Sequence, residues 1–71
     1  MLSYLRHARR RMRERKISED EVRFCLENYS ISYTDRKGNP NYIAYTQSNR
    51  RIKVVVQKDS INPIRIITVA D

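Results

Sequence analysis

A histidine and two arginines recur at four-residue intervals near the start of the chain, at His7, Arg11 and Arg15. Residues four apart lie along one edge of a helix, drifting by about 40° at each step. An imidazole can act as a general acid or base near neutral pH, and arginine forks bind phosphate groups. Metal-free cleavage of RNA uses these groups, because a base activates the 2′-hydroxyl and cations stabilise charge on the phosphate. The spacing predicts His7 as the acid or base and Arg11 and Arg15 as phosphate ligands.

The same three residues have plainer interpretations. A lone histidine near the start of a helix is commonly a surface or capping residue. Arg11 and Arg15 could instead form structural ion pairs with carboxylates of the chain, namely Glu19, Asp20, Glu21 or Asp35. The spacing alone leaves both interpretations open.

Positive charge is concentrated around this stripe. The chain carries 15 Lys and Arg against 8 Asp and Glu, a net charge of +7, and seven of the cations fall within residues 6–16. So dense a cluster is easiest to understand if a polyanion compensates it in the bound state. A second basic group follows later, at Arg50, Arg51 and Lys53. Charge alone does not choose among RNA, DNA, ribosomes, anionic lipid and an acidic protein, and we expect nucleic acid to bind at Arg9, Arg10, Arg13, Arg51 and Lys53.

Several classes of protein are excluded by the composition. One histidine and one cysteine cannot supply a zinc site, and one glycine cannot build a glycine-rich phosphate loop, so neither metal nor cofactor is expected. No apolar run is long enough to span a membrane, and the first residues lack the apolar stretch of a signal peptide. With a single cysteine no internal disulfide forms. These features predict one cytoplasmic domain over residues 1–71.

Two helices are predicted in the first part of the chain. Leu5, Ala8 and Met12 form a narrow apolar stripe within a helix from Ser3 to Lys16. Ser18 and Glu21 have the spacing of a capping box that opens a second helix, which runs to about Asn28. Its inward side chains are predicted to be Val22, Cys25, Leu26 and Tyr29, with Cys25 an inert core residue.

After the second helix the apolar period changes to two, which is typical of strands. Four strands are predicted, the first around Ile31 and Tyr33 and the others over Tyr42–Gln47, Arg51–Gln57 and Ile64–Ala70. Short connections favour antiparallel pairing. The predicted fold is therefore α+β, with two N-terminal helices packed on one face of a four-stranded antiparallel sheet. Tyr42 and Tyr45 must point to opposite faces of a regular strand, so that one is core-facing and the other could stack on a base.

Two stretches of the chain resemble a known family. The first contains His7-Ala8, Arg11-Met12, Arg15, Ile17-Ser18, Glu21-Val22 and Leu26-Glu27-Asn28. The second, more generic stretch contains Asp35, Gly38, Tyr42, Ile52-Lys53-Val54-Val55-Val56 and Ile66-Ile67-Thr68-Val69. Together they resemble the domain-of-unknown-function 4258 family over nearly the whole chain. Lys16 stands where that family often has glycine, and we expect the link between the helices to differ slightly.

This family is similar to the RelE-like superfamily of small toxins, many of which are metal-free endoribonucleases paired with antitoxins. The resemblance implies an ααββββ order, RNA as the substrate and an acidic antitoxin as a partner. Two functions remain open. One is a toxin-like endoribonuclease that uses His7, Arg11 and Arg15, with Arg51 or Lys53 assisting from the sheet. The alternative is a non-catalytic module that binds nucleic acid or an acidic protein through the basic helix.

Overall fold

Two helices lie on one face of a five-stranded mixed sheet. The computed structural model describes all residues from 1 to 71. Its elements are, in chain order, β1 (Leu2–Tyr4), α1 (Arg6–Arg15), α2 (Glu19–Asn28), β2 (Ile31–Thr34), β3 (Pro40–Tyr45), β4 (Arg51–Val56) and β5 (Ile64–Ala70). The α+β class and the two helices are as predicted. Neither helix has the length and apolar composition that crossing a lipid bilayer requires.

The sheet differs from the prediction at one edge. Its strand order is β1-β5-β4-β3-β2, and the four strands β2 to β5 are antiparallel neighbours, as expected. The fifth strand, β1, pairs in parallel with β5, so that Leu2 lies opposite Ile64 and Tyr4 opposite Ile66. The prediction of a four-stranded, wholly antiparallel sheet is therefore wrong. Ser3 and Tyr4, assigned to the first helix, belong to this short strand because their hydrogen-bonding partners lie at the far end of the chain.

Helix α1 begins and ends without a side-chain cap. Leu5 occupies the N-cap position in extended conformation, with no side-chain hydrogen bond. At the other end Lys16 adopts the left-handed conformation, with φ 54° and ψ 49°, and the Ile17 amide donates to the Met12 carbonyl. This bond pattern is a Schellman motif, which glycine usually completes because it has no Cβ. Lys16 thus adopts the conformation that a glycine would favour here, and the expected difference in the link between the helices stays a prediction.

Helix α2 begins with the predicted capping box. The Ser18 hydroxyl accepts a hydrogen bond from the Glu21 amide at 3.1 Å, and the Glu21 carboxylate accepts one from the Ser18 amide at 2.9 Å. Three acidic residues occupy the first turn, where the helix dipole favours negative charge. The helix ends at Asn28, as predicted. These local signals therefore show where the second helix begins.

One arginine joins the two helices to the sheet. Arg50, just before β4, donates to the carbonyl of Arg15 and, at 2.9 Å, to that of Lys16 at the end of α1. The same guanidinium binds the Glu21 carboxylate at 3.1 Å and the Asp71 carboxylate at 3.0 Å. These carboxylates raise the pKa of Arg50 above its usual value, although burial opposes the shift. Arg50 thus fixes α1 relative to α2 and the end of β5.

A single apolar core lies between the helices and the sheet. Its fully buried members include Ala8 from α1, Val22 and Cys25 from α2, and Ile52 and Ile66 from the central strands. Burying one such aliphatic side chain contributes about 1.5–3 kcal/mol. Cys25 is buried, as predicted. The prediction that Tyr29 faces inward is wrong, because it follows the last turn of α2 and remains 47% exposed.

Candidate nucleic-acid-binding surface

Packing of α1 on the sheet sets which of its arginines face the solvent. Ala8 and Met12 are buried against the core, so residues on the far side of the helix point outward. These are Arg6, Arg10 and Arg13, which are all exposed and which we call the outer arginine row. At 1.5 Å per residue the row is about 10 Å long. None of its three guanidinium groups takes part in the five ion pairs of the structure.

His7 lies beside this row and contacts one of its members. The Arg10 Nη2 atom is 3.0 Å from the His7 Nδ1 atom. A guanidinium group can only donate, so Nδ1 must accept and the ring proton must lie on Nε2. The imidazole is exposed rather than enclosed by packing. The structure therefore brings His7 together with Arg10, in a depression that Arg6, Arg9 and Arg13 also line.

Arg11 and Arg15, the predicted phosphate ligands, lie on the edge of α1 that borders the core stripe. Arg11 is half-buried and Arg15 is exposed. Neither guanidinium group is paired with a carboxylate, and neither is hydrogen-bonded to His7. Their predicted role as phosphate ligands stays a prediction.

The carboxylates near the helices are paired with other arginines. Glu19 is 3.6 Å from the Arg9 guanidinium and 3.9 Å from that of Arg23. Arg9 also lies over the ring of Tyr4, 5.0 Å from its centroid. Arg9 is thus partly neutralised within the protein, whereas the outer arginine row is not. Glu19, Asp20 and Glu21 therefore pair with arginines other than Arg11 and Arg15. Asp35 takes part in no ion pair and accepts hydrogen bonds from amides instead.

Arg51 and Lys53 lie on the other side of the sheet from α1. Ile52 and Val54 of the same strand are fully buried in the core beneath the helices. Because side chains alternate along a strand, Arg51 and Lys53 must point to the face that the helices leave uncovered. The predicted nucleic-acid-binding residues therefore form two separate surfaces. The sheet also separates Arg51 and Lys53 from His7, so the expected assistance from these two cations does not fit the geometry.

The tyrosines divide between the two faces as the strand pattern predicts. Tyr42 packs against the core, and its ring centroid is 4.8 Å from that of Tyr29. Tyr45 points the other way and is 49% exposed. It shares the uncovered face with Tyr33 of β2. One tyrosine of the predicted pair is thus core-facing, as expected.

The titratable groups with shifted pKa values lie away from the outer arginine row. Burial raises the pKa of Cys25 from 9.0 to about 11, so its thiol stays protonated and donates weakly to backbone carbonyls. Burial also raises the pKa of Tyr4. Backbone amides, above all that of Asn39, lower the pKa of Asp35 in the turn after β2. No three His, Cys, Asp or Glu side chains lie close enough together to hold a metal ion.

Comparison with known proteins gives a family without an assigned activity. No curated protein and no solved structure matches the chain. The family model described as a domain of unknown function, DUF4258, matches residues 4–71. The match covers both helices and strands β2 to β5. On this match the chain belongs to the DUF4258 family.

Proposed function

We propose that the protein binds RNA through the outer arginine row of α1. The observation that carries this proposal is a set of three exposed guanidinium groups, at Arg6, Arg10 and Arg13, that no carboxylate of the chain neutralises. Guanidinium forks bind phosphate groups bidentately, and each such contact releases a counterion from the RNA. In this proposal the protein acts in the cytoplasm.

Binding is tested by removing charge from the row and from a matched position. Arg10→Gln/Arg13→Gln removes two charges from α1, whereas Arg36→Gln/Lys37→Gln removes two from the exposed turn after β2. Affinity for a fluorescent single-stranded RNA is measured by anisotropy. The first variant is expected to bind more weakly than the second. Equal losses would show that only net charge matters. Binding of an acidic protein such as an antitoxin, with no RNA binding, would also refute the proposal.

A second candidate function is RNA cleavage by a RelE-like, toxin-type endoribonuclease. The observation that favours it is the exposed His7 imidazole, whose Nδ1 atom is bonded to Arg10, a member of the same row. When Arg10 turns to the scissile phosphate, Nδ1 becomes free to take the proton of the 2′-hydroxyl. The 2′-oxygen then bonds to phosphorus as the bond to the 5′-oxygen breaks. Water protonates the leaving oxygen, and a 2′,3′-cyclic phosphate results.

Cleavage and binding are separated by one substitution. His7→Ala is expected to abolish degradation of RNA in the presence of a chelator, while the affinity measured by anisotropy stays unchanged. Arg11→Gln and Arg15→Gln test the phosphate ligands that the sequence predicts. If wild type and His7→Ala both leave naked and ribosome-bound RNA intact, the nuclease hypothesis is wrong and the binding module remains.

A further inference from the structure

The face of the sheet that the helices leave uncovered is unusually apolar. In a two-layer protein this face is ordinarily polar, because it meets water. Here the register of β2, β3 and β4 places five apolar side chains on it, namely Ile31, Tyr33, Ile43, Tyr45 and Val55. We call this surface the open sheet face. Ile31, Tyr33 and Tyr45 are between 44% and 49% exposed. Solvation alone does not account for large apolar groups at these positions.

Each exposed tyrosine on the open sheet face has a cation beside it. Tyr45 lies directly opposite Arg51 in the register of β3 and β4. Lys53 lies opposite Ile43 but extends across β3, so that its Nζ atom is 5.7 Å from the centroid of the Tyr33 ring. This distance is near the outer limit of a cation–π contact, about 6 Å. The ammonium group can therefore leave the ring for a phosphate at little cost.

The charge of the open sheet face indicates an anionic partner. None of the eight acidic residues lies on a strand, and the one carboxylate at the edge of the open sheet face, that of Asp35, accepts a hydrogen bond from the Asn41 amide rather than pairing with a cation. Arg51 and Lys53 consequently have no carboxylate partner among the ion pairs. An acidic peptide would satisfy these cations but would leave the aromatic rings without a flat partner. Nucleobases provide flat partners, and the phosphates between them carry the negative charge.

The separation of the two tyrosines selects single strands over duplexes. Tyr33 lies opposite Asn41, and Tyr45 is four residues further along β3. At about 3.4 Å per residue the two tyrosines are about 14 Å apart. Stacked neighbouring bases are only about 3.4 Å apart. Bases that stack on the two rings are therefore not adjacent, and each must expose a flat face, which neighbouring bases cover in a helix but not in a single strand.

We propose that the open sheet face is a second binding site, which takes single-stranded RNA. Bases stack on Tyr33 and Tyr45, and the adjoining phosphates bind Lys53 and Arg51. This site goes beyond the proposed function of α1 and does not depend on it, because it lies on the opposite face of the sheet.

The experiment uses the absence of tryptophan from the chain. Tyr45→Trp keeps an aromatic ring on the open sheet face, and base stacking quenches indole fluorescence. Tyr29→Trp is the matched control, since Tyr29 is 47% exposed but lies on the helix side. A short oligouridylate is expected to quench the Tyr45→Trp variant and not the Tyr29→Trp variant. Equal quenching of both variants, or quenching of neither, would overturn the proposal.

Two further arms separate stacking from charge and this site from α1. An abasic oligomer of equal charge, and polyglutamate, are expected to leave the emission of the Tyr45→Trp variant unchanged. If either binds as well as oligouridylate, the face recognises charge alone and the proposal is wrong. The quenching is expected to persist when Arg10→Gln/Arg13→Gln is added; its loss would place the oligomer on α1. Tyr33→Leu, with an unchanged circular dichroism spectrum, is expected to weaken binding at least about five-fold.

Discussion

The salt dependence of RNA binding measures how many phosphates α1 contacts. If the outer arginine row (Arg6, Arg10 and Arg13) contacts three phosphates of a single strand, the slope of log affinity against log salt is about −2.1, from about −0.7 per phosphate. Raising salt from about 50 to about 200 mM then weakens binding about 18-fold. Arg10→Gln/Arg13→Gln leaves one contact and a slope of about −0.7, so the same change in salt weakens binding only about 2.6-fold.

The assay is fluorescence anisotropy at about four or more salt concentrations. These lie in the range in which the protein with the intact arginine row and the Arg10→Gln/Arg13→Gln variant both bind RNA measurably. All proteins in this assay also carry Tyr33→Leu, Tyr45→Leu, Arg51→Gln and Lys53→Gln, so that the open sheet face contributes neither stacking nor phosphate contacts to the slope. Arg36→Gln/Lys37→Gln serves as the charge-matched control and is expected to keep the slope of about −2.1. An unchanged slope in the Arg10→Gln/Arg13→Gln variant would refute the assignment of the phosphate contacts to α1.

Three further predictions concern stability. Ile66→Ala empties a fully buried position between α1 and the sheet and should cost about 2–5 kcal/mol, lowering Tm by at least about 8 °C in calorimetry; a shift within error would contradict this packing. The pKa of Cys25 is raised to about 11, so the unfolded state releases its proton first. Stability should fall by up to about 3 kcal/mol as the pH rises from 9 to about 11, and urea titrations of Cys25→Ala should lack this part of the fall. The pKa of Asp35 is lowered, so its stabilisation is present above its unfolded pKa and is lost as the pH falls through the folded value. Asp35→Asn should reduce the fall in the free energy of unfolding at low pH, measured by the same urea titrations. An unaltered fall would show that the hydrogen bonds of Asp35 in the turn do not stabilise the fold.

The elements that the sequence predicted well are those with local signals. Ser18 and Glu21 satisfy each other within one turn, so α2 can be located from its own residues. Strand β5 is found at its predicted bounds, Ile64–Ala70, because its β-branched residues favour strand in any context. Strand β1 was missed for the opposite reason. It has three residues, and its pairing partners are distant in the chain, so nothing local distinguishes it from the start of a helix.

The candidate site was predicted in part. Spacing along α1 identified a basic helix with His7 on it, but positions three and four residues away are both neighbours on a helix. Side-chain conformation determines which neighbour contacts His7, and in the structure it is Arg10 rather than Arg11. The position of Lys53 on the open sheet face could be predicted from the alternation of side chains along β4. The hydrogen bonds of Arg50 could not be predicted, because they join segments far apart in the sequence.

The parallel pairing of β1 with β5 has a consequence for the order of events during synthesis. Leu2 and its partner Ile64 are separated by most of the domain along the chain. At about 5–20 residues per second, a nascent chain spends about 3–12 s with its first strand unpaired. Strand β1 stays unpaired until β5 has been made. The sheet must therefore close at this edge after β5 has left the ribosome, and any nascent-chain partner has those seconds in which to bind the exposed edge of β1.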